Sequence, residues 1–246
     1  MLAHGIGCTR RGEEKQWGAV RTALEERGAR VFYGGEDAMG SVEQGAGQLA
    51  CAVAESACAS SVDKVNLIAH SKGGLEARYL ASHGGAPMVA SLTTIATPHH
   101  GSVMADRMML PRPFYRPVGW IVDACYRLAG DERPRCYVLL GELKRRGACA
   151  LDAECPDQPG VYYQSFALIQ EHWRENPGNA MMAAVLAKVG GGPNDGLVSL
   201  RSAGADGPHF RGVLRRAGGA SVAHSALGKH PEFFIRIVSE LKQRGF

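Results

Sequence analysis

Val65-Asn66-Leu67-Ile68-Ala69-His70-Ser71-Lys72-Gly73-Gly74-Leu75-Glu76-Ala77-Arg78-Tyr79 changes its period at a single residue. Lys64 to Ala69 is a short apolar run with branched residues, the pattern of a buried strand. Lys72 to Ser82, with Leu75, Tyr79 and Leu80 on one face, is the pattern of a helix. Almost no loop separates the two, so Ser71 falls on a sharp strand-to-helix turn. Such a turn strains the serine backbone and pushes its hydroxyl out above the sheet. It also requires small residues two positions to either side, which Ala69 and Gly73 supply. The first helical N–H, that of Lys72, is left unpaired at the positive end of the helix dipole, where a developing anion would be stabilised. An ordinary serine cap explains Ser71 alone, but not the small neighbours, the flanking strand and the Gly-Gly pair. Ser71 is therefore a candidate nucleophile.

Working outward, Trp17, Val20 and Leu24 recur at helical spacing between Glu13 and Arg27, Gly28 stops that helix, and Ala29 to Tyr33 reads as a strand. Ser41 with Gln44 resembles a capping box opening a second helix through Ala59. Val89 to Thr97, Val161 to Leu168 and Phe210 to Leu214 read as further strands, and Pro231 to Arg244 reads as a closing amphipathic helix. Strands alternating with helices predict an α/β fold, doubly wound, with a mostly parallel sheet covered on both faces. Met104 to Cys155 breaks the rhythm. Prolines 111, 113, 117 and 134 interleave there with Phe114, Tyr115, Trp120, Ile121, Val122, Tyr126 and Leu128, so the segment reads as an insertion in a single domain, 1–246.

The chain has 246 residues, 45% hydrophobic and 21% charged, enough apolar mass for one core and too little charge for general disorder. Its formal charge of +4 is spread along the whole length, which argues against nucleic acid as a partner. No apolar run reaches the roughly 18 residues of a transmembrane helix. The seven cysteines form no C-x-x-C pair and read as free thiols, with a Cys149–Cys155 disulfide as the alternative in an exported protein. Met1 to Gly5 already reads as the end of a strand, so the start looks clipped. Localisation stays open: cytoplasmic as the chain stands, secreted if a signal peptide lay upstream. No dinucleotide or P-loop glycine motif follows a strand, and no cofactor is expected.

A serine nucleophile needs a base, an acid to orient it, and donors for the oxyanion. His4-Gly5-Ile6-Gly7 is a glycine-rich loop after an early strand, making the Ile6 N–H the second oxyanion donor beside that of Lys72, with His4 holding the loop. Three histidines follow far enough along the chain to serve as base: His209, His224 and His230. His224 lies after a strand and before the closing helix, whereas His230 precedes Pro231 at a helix start. For the acid, Asp195 in Asn194-Asp195-Gly196 is one candidate, although by itself that tripeptide is simply a good turn. Asp206 and Asp152 are the other acids considered.

Five stretches resemble the bacterial triacylglycerol lipase family, the Pseudomonas-type true lipases and their relatives. They are His4-Gly5-Ile6, Tyr33 to Ser41, Val65 to Tyr79, Thr93 to Ser102 and Asn194 to Ser199, in the family's order across nearly the whole chain. The resemblance implies an α/β-hydrolase fold, ester hydrolysis by the triad Ser71, Asp195 and His224, an acyl ester or lipid substrate, and a lid over the site. That lid would be the 104–155 insertion, touching a lipid interface transiently, its arginines 107, 112, 116 and 127 favouring an anionic one; the alternative is a small cap subdomain that only covers the sheet. The sequence departs from the family at Ala69, where glycine is usual, and at Ala226, where calcium-binding relatives carry an aspartate. No calcium is expected there, and no metal role is expected for His99 and His100. Thioesterase, acyltransferase and amidase chemistry share every residue named, while a non-catalytic binding protein would more often have lost one of them.

Overall fold

A computed structural model describes residues 1–108, 112–171, 184–217 and 220–246, with the side chains of 108, 112–116, 190, 191, 216, 217, 220 and 221 left out. Five strands form a parallel sheet in the order β1 (Leu2–Ala3), β2 (Val65–His70), β3 (Val89–Ile95), β4 (Tyr162–Leu168), β5 (Phe210–Leu214). Successive side chains on a strand point to opposite faces, and β2 shows what each face is for. Ile68 packs with β1, β3 and β4 residues Leu2, Ile95 and Phe166 against Trp17, Val20 and Leu24 of α1 (Glu13–Glu25). The same cluster takes in Phe233, Phe234, Ile237 and Leu241 of the last helix, Pro231–Gln243. Leu67 and Ala69 point the other way, onto Leu49 and Val53 of α2 (Val42–Ser60) and Ala77 and Leu80 of α3 (Lys72–Leu80). Each large side chain fully buried in these layers contributes about 1.5–3 kcal/mol, so both helix layers are held to the sheet mainly by apolar area.

Four helices interrupt the alternation between β3 and β4: α4 (Val103–Met108), α5 (Arg112–Ala129), α6 (Cys136–Leu143) and α7 (Arg145–Glu154). The closing helix is therefore α8. Ala105, Cys136, Leu139 and Leu143 bury themselves against Ala38, Met39, Val42 and Leu75, at the end of the sheet where the strand-to-helix turn lies. Two aspartates fasten this excursion reciprocally. Asp131 accepts the N–H groups of Ala38 (3.0 Å) and Met39 (2.8 Å), while Asp37 accepts those of Glu132 (2.9 Å) and Arg133 (2.7 Å). The Ser102 N–H, just before α4, also donates to Leu143 O at the end of α6 at 2.8 Å. On α5, Val118, Trp120, Ile121 and Leu128 face solvent. Pro111 lies outside the described residues, and Phe114, Tyr115, Arg112 and Arg116 outside the described side chains.

The expected strand at Ala29 to Tyr33 is corrected to a single parallel bridge between Tyr33 and Leu2, with Leu2 N–H on Phe32 O (2.8 Å) and Gly34 N–H on Leu2 O (2.9 Å). Its neighbour β1 is only two residues long, so there is no ladder for a longer strand to join. The Ser41 cap forms, accepting the Gln44 N–H at 3.3 Å, but the Gln44 side chain donates to Asp37 (2.8 Å) instead of closing a capping box. None of the seven cysteines is in a disulfide, Cys149 and Cys155 included. No described helix is long and apolar enough to cross a membrane.

Candidate active site

Ser71 sits between β2 and α3 with φ 56° and ψ −125°, a conformation that costs a non-glycine residue on the order of 1–3 kcal/mol. Its N–H donates to Ile95 O on β3 (3.0 Å), and the Gly74 N–H donates to Ser71 O (3.1 Å), so neighbouring backbone holds the strained turn. The small residues are needed for space. A Cβ on Gly73 would stand 2.4 Å from His4 O, and one on Gly5 would stand 2.7 Å from Ser71 Cβ. Ala69 is fully buried between β1 and β3, where its one extra methyl is accommodated.

The fold brings three of the expected residues together. Ser71 Oγ lies 2.8 Å from His224 Nε2, and His224 Nδ1 lies 2.7 Å from Asp195 Oδ2. Asp195 is fully buried, and its second oxygen, Oδ1, accepts the N–H groups of Leu197 (3.0 Å) and Val198 (2.8 Å). Asn-Asp-Gly does form a turn. Asn194 Oδ1 accepts the Gly196 N–H at 2.9 Å, and Gly196 takes φ 103°, which a side chain would resist. That turn aims the Asp195 carboxylate. A backbone bond from His224 N–H to Asp195 O (3.1 Å) ties the two loops, and the His224–Lys229 turn packs on α1, where a Cβ on Gly228 would overlap Gln16 O.

The expected oxyanion donors belong to segments next to the serine. Lys72 opens α3, and Ile6 lies on the exposed turn closed by Cys8 N–H on Gly5 O (3.5 Å), whose Gly5 abuts Ser71. The other histidines and acids stand apart. His209 pairs with Asp157, His230 approaches Glu232 (3.4 Å), Asp206 pairs with Arg201 (3.1 Å) and Asp152 pairs with Arg78. Both ring nitrogens of His99 are engaged, Nε2 with Thr94 Oγ1 (3.0 Å) and Nδ1 with Arg78 (3.4 Å), leaving no lone pair for a metal.

Two neighbours were not foreseen. The His70 ring lies 4.5 Å from that of His224, with the Trp17 indole edge-on behind it (6.1 Å). Burial first, then the charges of His224 and His4, hold the His70 pKa well below the usual imidazole value, so a neutral ring backs His224. The Lys72 side chain is fully buried, paired with Glu76 one turn on and donating to Asp37 O at 2.8 Å. A Cβ on Gly45 would overlap the Glu76 carboxylate, so that glycine on α2 makes room for the pair. Only the Lys-x-x-x-Glu spacing at 72 and 76 hinted at it.

A parallel sheet layered by helices, with serine, histidine and aspartate meeting at the strand ends in that topology, defines the α/β-hydrolase fold. Within it the likeness is to lipases. The Staphylococcus hyicus lipase structure superposes over 98% of this chain and 94% of its own with a TM-score of 0.74 at 17% identity. A triacylglycerol lipase of Pseudarthrobacter phenanthrenivorans is 39% identical over 112 residues, 43% of this chain. Triacylglycerol lipase 2 of Saccharomyces cerevisiae is 26% identical over 95% of the chain and 75% of its own length. The bacterial matches span only about a third of those relatives' length. No protein-family model matches the chain.

Proposed function

We propose that the chain is a serine-dependent carboxylic ester hydrolase, a triacylglycerol lipase or carboxylesterase, with Ser71, His224 and Asp195 as its triad. The observation that carries this is the unbroken line from Ser71 Oγ to His224 Nε2 (2.8 Å) and from His224 Nδ1 to Asp195 Oδ2 (2.7 Å). His224 takes the hydroxyl proton as Ser71 Oγ attacks the ester carbonyl, and Asp195 holds the ring in the required tautomer and stabilises the imidazolium. The oxyanion rests on the N–H groups of Ile6 and Lys72, each worth about 3 kcal/mol of barrier. The imidazolium protonates the departing alcohol as the carbonyl re-forms. Water then repeats the sequence on the acyl-enzyme, releasing the acid and restoring the Ser71 hydroxyl.

In the same reading the whole chain, 1–246, is one catalytic domain and the 104–155 excursion is its lid. Ser71 is only 7% exposed, so substrate must displace cover to reach it. The solvent-facing Val118, Trp120, Ile121 and Leu128 give the excursion an apolar face that suits contact with a lipid surface. The names of the relatives support acyl glycerols as substrates.

Hydrolysis of p-nitrophenyl esters of graded chain length by wild type and Ser71→Ala tests the reading. Turnover by wild type and none above background in the variant is expected. Equal rates would reject the mechanism, and the chain-length profile separates lipase from short-chain esterase.

A further inference from the structure

Behind the turn that carries Gly5 and Ile6, three ligand-type side chains converge away from Ser71. His4 Nε2 lies 3.8 Å from Glu13 Oε1 and 3.7 Å from Glu36 Oε2, and the ligand atoms of the three all lie within 4.8 Å of one another. His4 and Glu36 are fully buried and Glu13 is 5% exposed. His4 Nδ1 is engaged with Gly5 O (3.0 Å), which leaves Nε2 facing two carboxylates. Among the described residues that nitrogen has no hydrogen-bond partner, and the Glu36 carboxylate meets no side-chain donor, only the backbone N–H groups of His4 and Glu36 beside it. Such groups are costly when left unsatisfied in the interior, and more so when charged. The nearest cations are committed elsewhere. Lys72 binds Glu76 and Asp37 O, while Arg10 binds Gly35 O and reaches Glu132 (3.3 Å). The site is also given room, for a Cβ on Gly34 would stand 2.4 Å from Glu36 Oε2 and 2.7 Å from Oε1. Gly34 has no positive φ, so it serves by its size.

We propose that His4, Glu13 and Glu36 bind one first-row divalent cation, of which Zn²⁺ is the type, pinning the Gly5–Ile6 turn to the start of α1. One imidazole and two carboxylates are a ligand set such ions accept, and the nitrogen disfavours Mg²⁺ and Ca²⁺. Ligands 2.0–2.1 Å from one tetrahedral ion stand about 3.3 Å apart, so separations of 3.7 and 3.8 Å need to close by only a few tenths of an ångström. The three positions, 4, 13 and 36, have no metal-motif spacing and meet only through the fold.

The test is titration of the chelator-stripped 246-residue chain with ZnCl₂, read by calorimetry and thermal melting, with Co²⁺ loading read by visible absorption. One equivalent bound, a higher melting temperature and a tetrahedral Co²⁺ spectrum are expected. Glu36→Gln and Glu13→Gln should each weaken binding by more than about 100-fold, beyond the loss of an outer-shell partner. The exposed control Glu132→Gln should bind like wild type. Fewer than about 0.1 equivalents bound by wild type, wild-type affinity in both glutamine variants, or binding no tighter than that of Mg²⁺ or Ca²⁺ would overturn the proposal. The binding and spectroscopic readouts do not depend on ester turnover, so failure here leaves the proposed activity standing.

Discussion

Asp195→Asn isolates the acid of the proposed triad because the local bonding dictates how the amide must sit. Two backbone donors, Leu197 N–H (3.0 Å) and Val198 N–H (2.8 Å), converge on Oδ1, and only the His224 ring is seen at Oδ2. An asparagine keeps its carbonyl oxygen on the two N–H groups, which leaves its NH₂ facing His224 Nδ1. Nδ1 must then accept, and the proton moves to Nε2, where it points at Ser71 Oγ 2.8 Å away. The base is lost although volume, burial and the two backbone bonds are retained. A wrong-tautomer triad loses about 10⁴-fold in kcat, which is about 5.5 kcal/mol of barrier. The melting temperature should change little by comparison. The assay is kcat/KM for p-nitrophenyl butyrate at pH 8, alongside Ser71→Ala as the floor. An asparagine variant within tenfold of wild type, with Ser71→Ala inert, would refute the tautomer argument.

Three further outcomes are expected. Ser71→Gly should be inactive yet melt above Ser71→Ala, since glycine relaxes a backbone at φ 56°, ψ −125° that costs alanine about 1–3 kcal/mol; equal melting temperatures would dismiss the strain. Asp131→Ala strips the Ala38 and Met39 N–H groups of their acceptor and should cost about 2–4 kcal/mol in urea unfolding, whereas a loss below 0.5 kcal/mol would mean the aspartate clasp is idle. Burial first, then Arg78, hold the His99 pKa down to about 3 from the ordinary 6.5. The unfolded chain therefore takes up that proton first, and the His99 contribution is full above pH 6.5 and is lost as pH falls from 6.5 toward 3, at up to about 1.4 kcal/mol per unit. His99→Gln should flatten that part of the stability profile, and parallel wild-type and variant profiles between pH 7 and 5 would contradict the assignment.

The sheet was legible because buried parallel strands announce themselves as short branched runs, and β2, β3, β4 and β5 fall within two residues of where periodicity puts them. The strand at Ala29 to Tyr33 was over-read because ladder formation depends on its partner's length, which is a property of β1. Ser71 was visible locally, since the elbow's steric demands fall on positions 69 to 73. Asp195 and His224 needed chain order and the resemblance, because nothing within either loop states where the other will lie. Apart from the Lys72 and Glu76 spacing, the buried clusters were invisible for the same reason. Lys72, Glu36 and His4 read as ordinary polar residues until the fold removes water from them.

That Ser102 N–H and Leu143 O are hydrogen-bonded 2.8 Å apart gives the intervening helices a modular character. A polypeptide that leaves and rejoins the body at one point can be lengthened, shortened or exchanged without altering the spacing of the strands on either side. Substrate choice in this architecture could thus diversify through that cassette alone, while the machinery beneath it stays untouched.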